Sequence, residues 1–422
     1  MKIKSDNKHI AWILIIINLI FQYFLVGKYI TDDAISALHP INADALEYIN
    51  ASEAWLKTND FVSVFRTGWR LPGYPFLILC CYKMGSFINL SPILLVKIFQ
   101  LLLSSLIPYF SYKSIFNFSS SHFAALVGGL IVCIYYPFYY YTPSVGAESL
   151  SLFLISLLFY QTSKFEKQDV SIKNLLFIAM LIAILTYLKP NHILFSIPVV
   201  ILLIKKQQLF SGKVVNALSR PVMLACFVIM FMLPWMIFVT TQNKIFIPLA
   251  TTSGEDMLIG TGITINKYNR DIYSLTYKFE QKHNLNADTV FMTKRDGKSL
   301  AELNSAFQKD AISIWKSRPW ITTQFGFIKI AHSIGFSLRN FKDYFSLFVN
   351  IPIILILLFF KDFRKRYKNI TILVSILILL CWLQSFVYFG DMRLRIVMAD
   401  LAIIFTGSIF LNYLFENRNK AV

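Results

Sequence analysis

The sequence predicts an all-α polytopic membrane protein on two observations. The chain of 422 residues is 56% hydrophobic and only 15% charged, and its apolar residues gather in blocks of about 16 to 23, the length a helix needs to cross hydrocarbon. Much of the Lys and Arg behind the formal charge of +18 falls in short runs between those blocks, as cytoplasmic loops require. That distribution assigns the positive charge to a membrane surface and argues against nucleic acid as a partner.

The elements follow in order. Lys2, Lys4 and Lys8 hold the amino terminus in the cytoplasm, and the apolar stretch after them is not followed by a small-x-small cleavage site, so 10–30 reads as a retained first span. The polar segment 31–71 then lies outside. Basic loops at 164–173, 205–220 and 361–368 and the tail 416–420 belong inside, which fixes the parity of the remaining spans. They fall near 92–112, 122–140, 148–163, 174–188, 190–204, 221–239, 345–360, 371–390 and 394–414, about ten spans with the first. The count holds if 72–89 does not cross. That stretch opens Pro72-Gly73-Tyr74-Pro75 and carries only about 14 apolar residues, so it is predicted to be re-entrant or interfacial. The same parity keeps 319–338, with Lys329 and His332, outside as an amphipathic surface element.

Three regions result: a transmembrane module over 1–239 that contains the first outer loop 31–91, a large outer loop over 240–344, and carboxy-terminal transmembrane helices over 345–422. Two long outer loops are more than connections, and long loops usually carry function. Within the second, 253–262 is Gly-rich and 299–316 is predicted to be helical. No internal repeat is visible, which weakens an inverted-repeat transporter reading. Cys80, Cys81, Cys133, Cys226 and Cys381 lie in apolar segments without metal-ligand spacing and read as small buried hydrophobes. His192 has no ligand-spaced partner, and no Walker, Rossmann or HExxH signature occurs.

The chemistry-bearing residues collect on the outer side. Asp44 and Tyr48 stand four apart, on one face of a helix, with Glu47 adjacent. Asp44 is the candidate general base; its competing role is to cap that helix. Glu148 sits at the outer boundary of a span, where a carboxylate needs a partner or the start of a helix dipole. Tyr135, Tyr136, Tyr139, Tyr140 and Tyr141 read as an interfacial aromatic belt ahead of a sugar-stacking platform. Lys189, Arg393 and Arg395 lie on the side that positive-inside bias disfavours, and with Arg70 they make four cations at one level, suited to a lipid phosphate near the headgroups. The competing reading is snorkelling.

In this pattern the chain resembles the GT-C superfamily of membrane glycosyltransferases, in the branch of the protein O-mannosyltransferases and lipid A aminoarabinose transferases. The resemblance covers most of the chain. Its carriers are Asp44-x-x-x-Tyr48, the Arg70-x-Pro-Gly-Tyr74-Pro stretch, Glu148, Leu185-Thr-Tyr-Leu-Lys189-Pro190, the segment 233–262, and the pair Arg393 and Arg395. It implies an inverting transfer of a sugar from a polyprenyl phosphate to an acceptor hydroxyl outside the membrane. Asp44 would take the acceptor proton, Arg70 and Lys189 would hold the phosphate, and Arg393 and Arg395 would assist. Glu47, Tyr48 and Tyr74 would line the substrate site. Glu148 would orient the acceptor or, with Asp44, hold a divalent metal; relatives often have Asp there.

The expected partners are a polyprenyl-phosphate-linked sugar, a lipid, glycan or protein acceptor, and membrane lipids. The Lys, Ile, Asn and Phe-rich composition points to an AT-rich bacterial genome, hence a bacterial inner membrane and undecaprenyl phosphate. A transporter or flippase of lipid-linked sugars shares the spans and basic residues but would place ionisable groups at mid-span, where Lys97 is the main exception. A polysaccharide polymerase or ligase is the third reading.

Overall fold

The structure, a computed structural model, describes residues 8–31, 43–211, 214–261, 299–334, 341–388 and 392–421. Lys2, Lys4, the segment 32–42, the part of the second long loop at 262–298, and 389–391 lie outside the described residues. The described residues are all-helical in their regular structure, with 86% of them in helices and no strand among them.

Local sequence explains where helices start and stop. From the amino terminus run α1 (Lys8–Val26), α2 (Ala43–Thr58), α3 (Phe61–Phe65) and α4 (Gly73–Ile88). Asp60 caps α3 by accepting from the Val62 and Ser63 amides. α5 (Pro92–Ser104) and α6 (Ile107–Ser119) are two halves of one apolar run, with Pro108 in the first turn of the second half, where a missing N–H costs nothing. α7 (His122–Ile134) stops short of Pro137, which sits in the first turn of α8 (Tyr136–Tyr139).

α9 (Ala147–Ser163) and α10 (Ile172–Leu188) pair as a hairpin. Lys189 ends α10 in an extended conformation because Pro190 follows it. α11 (Ser196–Ser211) and α12 (Val214–Asn243) pack on each other and on α10 or its end. Next come α13 (Ser253–Gly260), α14 (Leu300–Ser317) and α15 (Pro319–Ile334). α14 opens on the predicted segment with a reciprocal capping box between Ser299 and Glu302. α16 (Phe341–Phe359), α17 (Lys361–Arg366), α18 (Lys368–Val387), α19 (Met392–Met398) and α20 (Asp400–Ala421) complete the chain.

Among the described residues, four helical stretches are long and apolar enough to cross a membrane: Trp12–Tyr29, Pro92–Ser119, Leu218–Asn243 and Lys368–Val387. Gly73–Ile88, His122–Ile134, Ile172–Leu188 and Leu347–Phe359 are shorter apolar helices. α9 is enclosed by α5, α6 and α10, so its serines, Ser149, Ser151 and Ser156, face protein.

The bundle has two chemically different ends. α9 runs from Glu148 to the turn at Glu166 and α10 returns to Lys189, a rise of about 25 Å for helices of this length. At the far end, Lys205 and Glu166 meet on Asn369, and Arg366 pairs with Glu416. The basic loops predicted to share one side therefore do share one end. A single apolar core runs through the bundle, and Leu258, Leu303, Phe307 and Ala311 form a small second one between α13 and α14.

Three expectations are corrected by packing. α15 does not lie free on the surface: it packs on α18 and α19 and buries Lys329 on that side, while Trp320 and Phe327 stay exposed on the other. Three of the five tyrosines are not part of an interfacial belt, since Tyr135, Tyr139 and Tyr141 are buried while Tyr136 and Tyr140 are half-buried; Tyr135 donates to Asp400 Oδ2 at 2.6 Å and Tyr139 to the Val132 carbonyl at 2.7 Å. Cys226 is exposed on α12, whereas Cys81, Cys133 and Cys381 are buried as expected.

Candidate functional site

At the end opposite the basic loops, six of the predicted residues converge. Arg70 Nη2 donates to Asp44 Oδ1 at 2.6 Å and its Nε to Glu47 Oε2 at 2.5 Å, a carboxylate that also accepts from Trp69 Nε1 at 3.0 Å. Lys189 Nζ donates to Glu148 Oε1 at 2.6 Å. Arg393 joins the two halves, its Nη1 lying 3.6 Å from Asp44 Oδ2 and 3.7 Å from Glu148 Oε1. Three carboxylates and three cations thus form one network.

Each member is set by its local chain. Asp44 lies in the first turn of α2, as a capping residue would, but its side chain turns to Arg70 and Arg393 instead. Arg70 sits on the turn that opens α4. That turn needs Gly68, whose φ is +65° and where a Cβ would collide with the Val239 side chain on α12. The Gly68 carbonyl also accepts from the Thr251 amide at 3.0 Å. At Gly73 a Cβ would meet the Tyr187 carbonyl at 2.6 Å, so the start of α4 rests directly on the end of α10, next to Lys189. α5 then folds back along α4 and brings Gln100 to Tyr74, so α4 belongs to this end of the bundle.

Tyr48 and Tyr74 are buried beneath the network rather than open to a substrate. Their rings meet edge to face at 4.9 Å, and the Arg70 guanidinium lies 5.3 Å from the Tyr48 ring centroid. The Tyr74 hydroxyl donates to Gln100, whose amide donates at 2.9 Å to the Thr142 and Ser144 carbonyls just before α9. This stack supports the cation from below. Glu148 is also withdrawn, its side chain 4% exposed, which suits it to fixing Lys189 and Arg393 rather than touching an acceptor.

Burial would raise the Asp44 carboxyl, but Lys189, Arg70 and Arg393 together outweigh it and hold the group near 2. At neutral pH it is an anion. The network uses two of the five N–H groups of Arg70 and one of the three of Lys189, so both retain donors for a further anion.

Arg395 does not join the site. It is buried, with Nε 2.9 Å from Asp400 Oδ1 and Nη1 donating to the Ser333 carbonyl at 2.8 Å, so it closes a core ion pair with an acid that is itself fully buried. It lies two positions after Arg393, and on a helix that spacing points the side chains to different sides. Lys97 is fully buried 3.5 Å from the Tyr29 carbonyl, where α1 ends, not at mid-span. His192 is satisfied, its Nδ1 3.0 Å from the Leu185 carbonyl.

Among the described residues no group of three or more His, Cys, Asp and Glu is arranged to hold a metal ion. Arg393 occupies the position between Asp44 and Glu148 that a bridging divalent ion would need, so these side chains do not fit the predicted metal pair.

Sequence reasoning missed Asp256. Gly254 and Leu258 of α13 face α14, which turns Asp256 to the opposite side, toward the network. Its side chain is exposed, with Arg70, Asp44 and Lys189 near enough to act on its charge. Packing around it and the neighbouring Asp44 charge push its carboxyl up to about 6, against the pull of Arg70 and Lys189. The Gly-rich segment was visible in the sequence, but nothing in it marked this acid.

Compared with models of known protein families and with curated proteins, the chain matches none.

Proposed function

We propose that the chain is a membrane glycosyltransferase of GT-C type, moving a sugar from a polyprenyl phosphate to an acceptor hydroxyl on the outer face of the membrane. The observation that carries this reading is the network itself: Asp44, Arg70, Lys189 and Arg393 held within ion-pair reach of one another's partners, at the end of the bundle away from the basic loops. By positive-inside bias that end is the outer one, and the ten-span topology with two outer loops belongs to the same proposal.

The chemistry follows from the charges. A phosphate already anionic departs without an acid if cations offset its growing charge, and Arg70, Lys189 and Arg393 supply three. As the anomeric carbon loses the phosphate it becomes electrophilic, and an acceptor hydroxyl bonding to it becomes strongly acidic. Asp44, a weak base at about 2, is then strong enough to take the proton. Binding an anionic phosphate to Arg70 and Arg393 also shares out the cations that hold Asp44 low, which raises its basicity when the donor is in place. Glu148 keeps Lys189 and Arg393 oriented; Arg395 has a core role instead. Inversion requires the acceptor opposite the phosphate, in line with the breaking bond.

The test is purified protein in nanodiscs offered a panel of polyprenyl-phosphate sugars. Release of free polyprenyl phosphate is expected from at least one donor. Lipid-linked sugar carried across the bilayer intact, with no release from any donor, would replace this reading with a transporter.

A further inference from the structure

Lys329 carries a second organising contact. It is 2% exposed, in the middle of α15, and its Nζ donates to the Gly260 carbonyl at 2.6 Å and to the Tyr388 carbonyl at 2.7 Å. Gly260 is the last residue of α13, and Tyr388 is the residue that closes α18. Both carbonyls belong to helix carboxy termini, which lack intrahelical partners and carry partial negative charge. The Lys329 amino group between them donates to two such carbonyls at once, which explains why a lysine is buried there.

The two helix ends are in direct backbone contact. A Cβ at Gly260 would collide with the Val387 carbonyl, so no other residue fits without moving one helix. Both ends connect to the site. Arg393 lies five residues beyond Tyr388, on α19, and α13 carries Asp256. α15 also packs directly on α19, where the Ser333 carbonyl accepts from Arg395. α15 is therefore the cradle of the helix that presents Arg393.

We propose that Lys329 is a positioning residue for the phosphate site, pinning α13 to the end of α18 so that Arg393 is held between Asp44 and Glu148. The inference rests on the reading of that network as an anion site. It assigns Lys329 no contact with substrate.

The test measures binding of undecaprenyl phosphate to the full chain in nanodiscs. Lys329→Met is expected to weaken it about tenfold, with Gly260→Ala doing the same by forcing the helix ends apart while leaving the lysine in place. Residues that act as a unit are non-additive. Lys329→Met combined with Arg393→Ala should therefore bind no more weakly than Arg393→Ala alone, within about twofold. Wild-type affinity in both junction variants, or losses that multiply in the double variant, would overturn the proposal. If Lys329→Met does not fold, Gly260→Ala combined with Arg393→Ala gives the same decision.

If the wild type binds no undecaprenyl phosphate, the anion-site reading fails. The pin is then judged by thermal unfolding of the same variants without lipid. Non-additive shifts in Tm support it, and additive shifts overturn it.

Discussion

Arg393 and Arg395 show how little a residue type says without its surroundings. The sequence groups them as one basic pair, yet one lies among the site's carboxylates and the other is locked in the core against Asp400. Arg395→Met should leave the Asp400 carboxylate buried without its cation and destabilise the fold by ~3–5 kcal/mol, read as a large fall in Tm. Arg393→Met, at a partly exposed pair, should cost stability by less than ~1 kcal/mol while weakening lipid-phosphate binding.

Asp44 and Asp256 give opposite pH signatures. Asp44 titrates near 2, below its ordinary 3.8, so its contribution of ~2 kcal/mol is present above pH 4 and lost as the pH falls toward 2. The Tm gap between wild type and Asp44→Asn should close over that range. Asp256 titrates near 6, above its ordinary 3.8, so its contribution is present below pH 4 and lost as the pH rises through 6. Asp256→Asn should accordingly melt higher than wild type at pH 7.5 and level with it at pH 4.

Among the elements, α2 was the most legible in sequence, because the four-residue spacing of Asp44 and Tyr48 is a local property of a helix. The role of the Pro-Gly turn after Arg70 was partly legible. Its rigidity could be read, but its seat on the Tyr187 carbonyl depends on α10, more than a hundred residues away. Gly73→Ala should displace α4 and cost ~1–3 kcal/mol, with weaker lipid-phosphate binding as the second readout. α15 was misread for a physical reason. A charge on an apolar helix usually marks a water-facing side, but Lys329 is matched by two backbone carbonyls, and carbonyls leave no trace in a sequence. The tyrosines before α9 were misread similarly, because the partner that internalises Tyr135 is Asp400, far along the chain.

Across the whole molecule, what the sequence carried best was sidedness. Runs of Lys and Arg at 164–173, 361–368 and 416–420 predicted one shared end, and contacts such as Arg366 with Glu416 bring them there. Sidedness also makes a topological prediction. A cysteine placed at exposed Lys57 should react with an impermeant maleimide on intact cells, and one placed at exposed Lys368 should react only after permeabilisation; the reverse pattern would invert the assigned orientation.

The central claim is that the network binds a lipid phosphate through its cations and uses Asp44 on the acceptor. Its most direct test compares wild type and Asp44→Asn in nanodiscs for two quantities, binding of a polyprenyl-phosphate sugar and release of polyprenyl phosphate from it. Removing the Asp44 charge frees Arg70 and Arg393 from a competing anion. The variant should therefore bind the donor at least as tightly as wild type and release less than about a hundredth as much product, the scale of a lost general base. Release by Asp44→Asn at the wild-type rate would contradict the account.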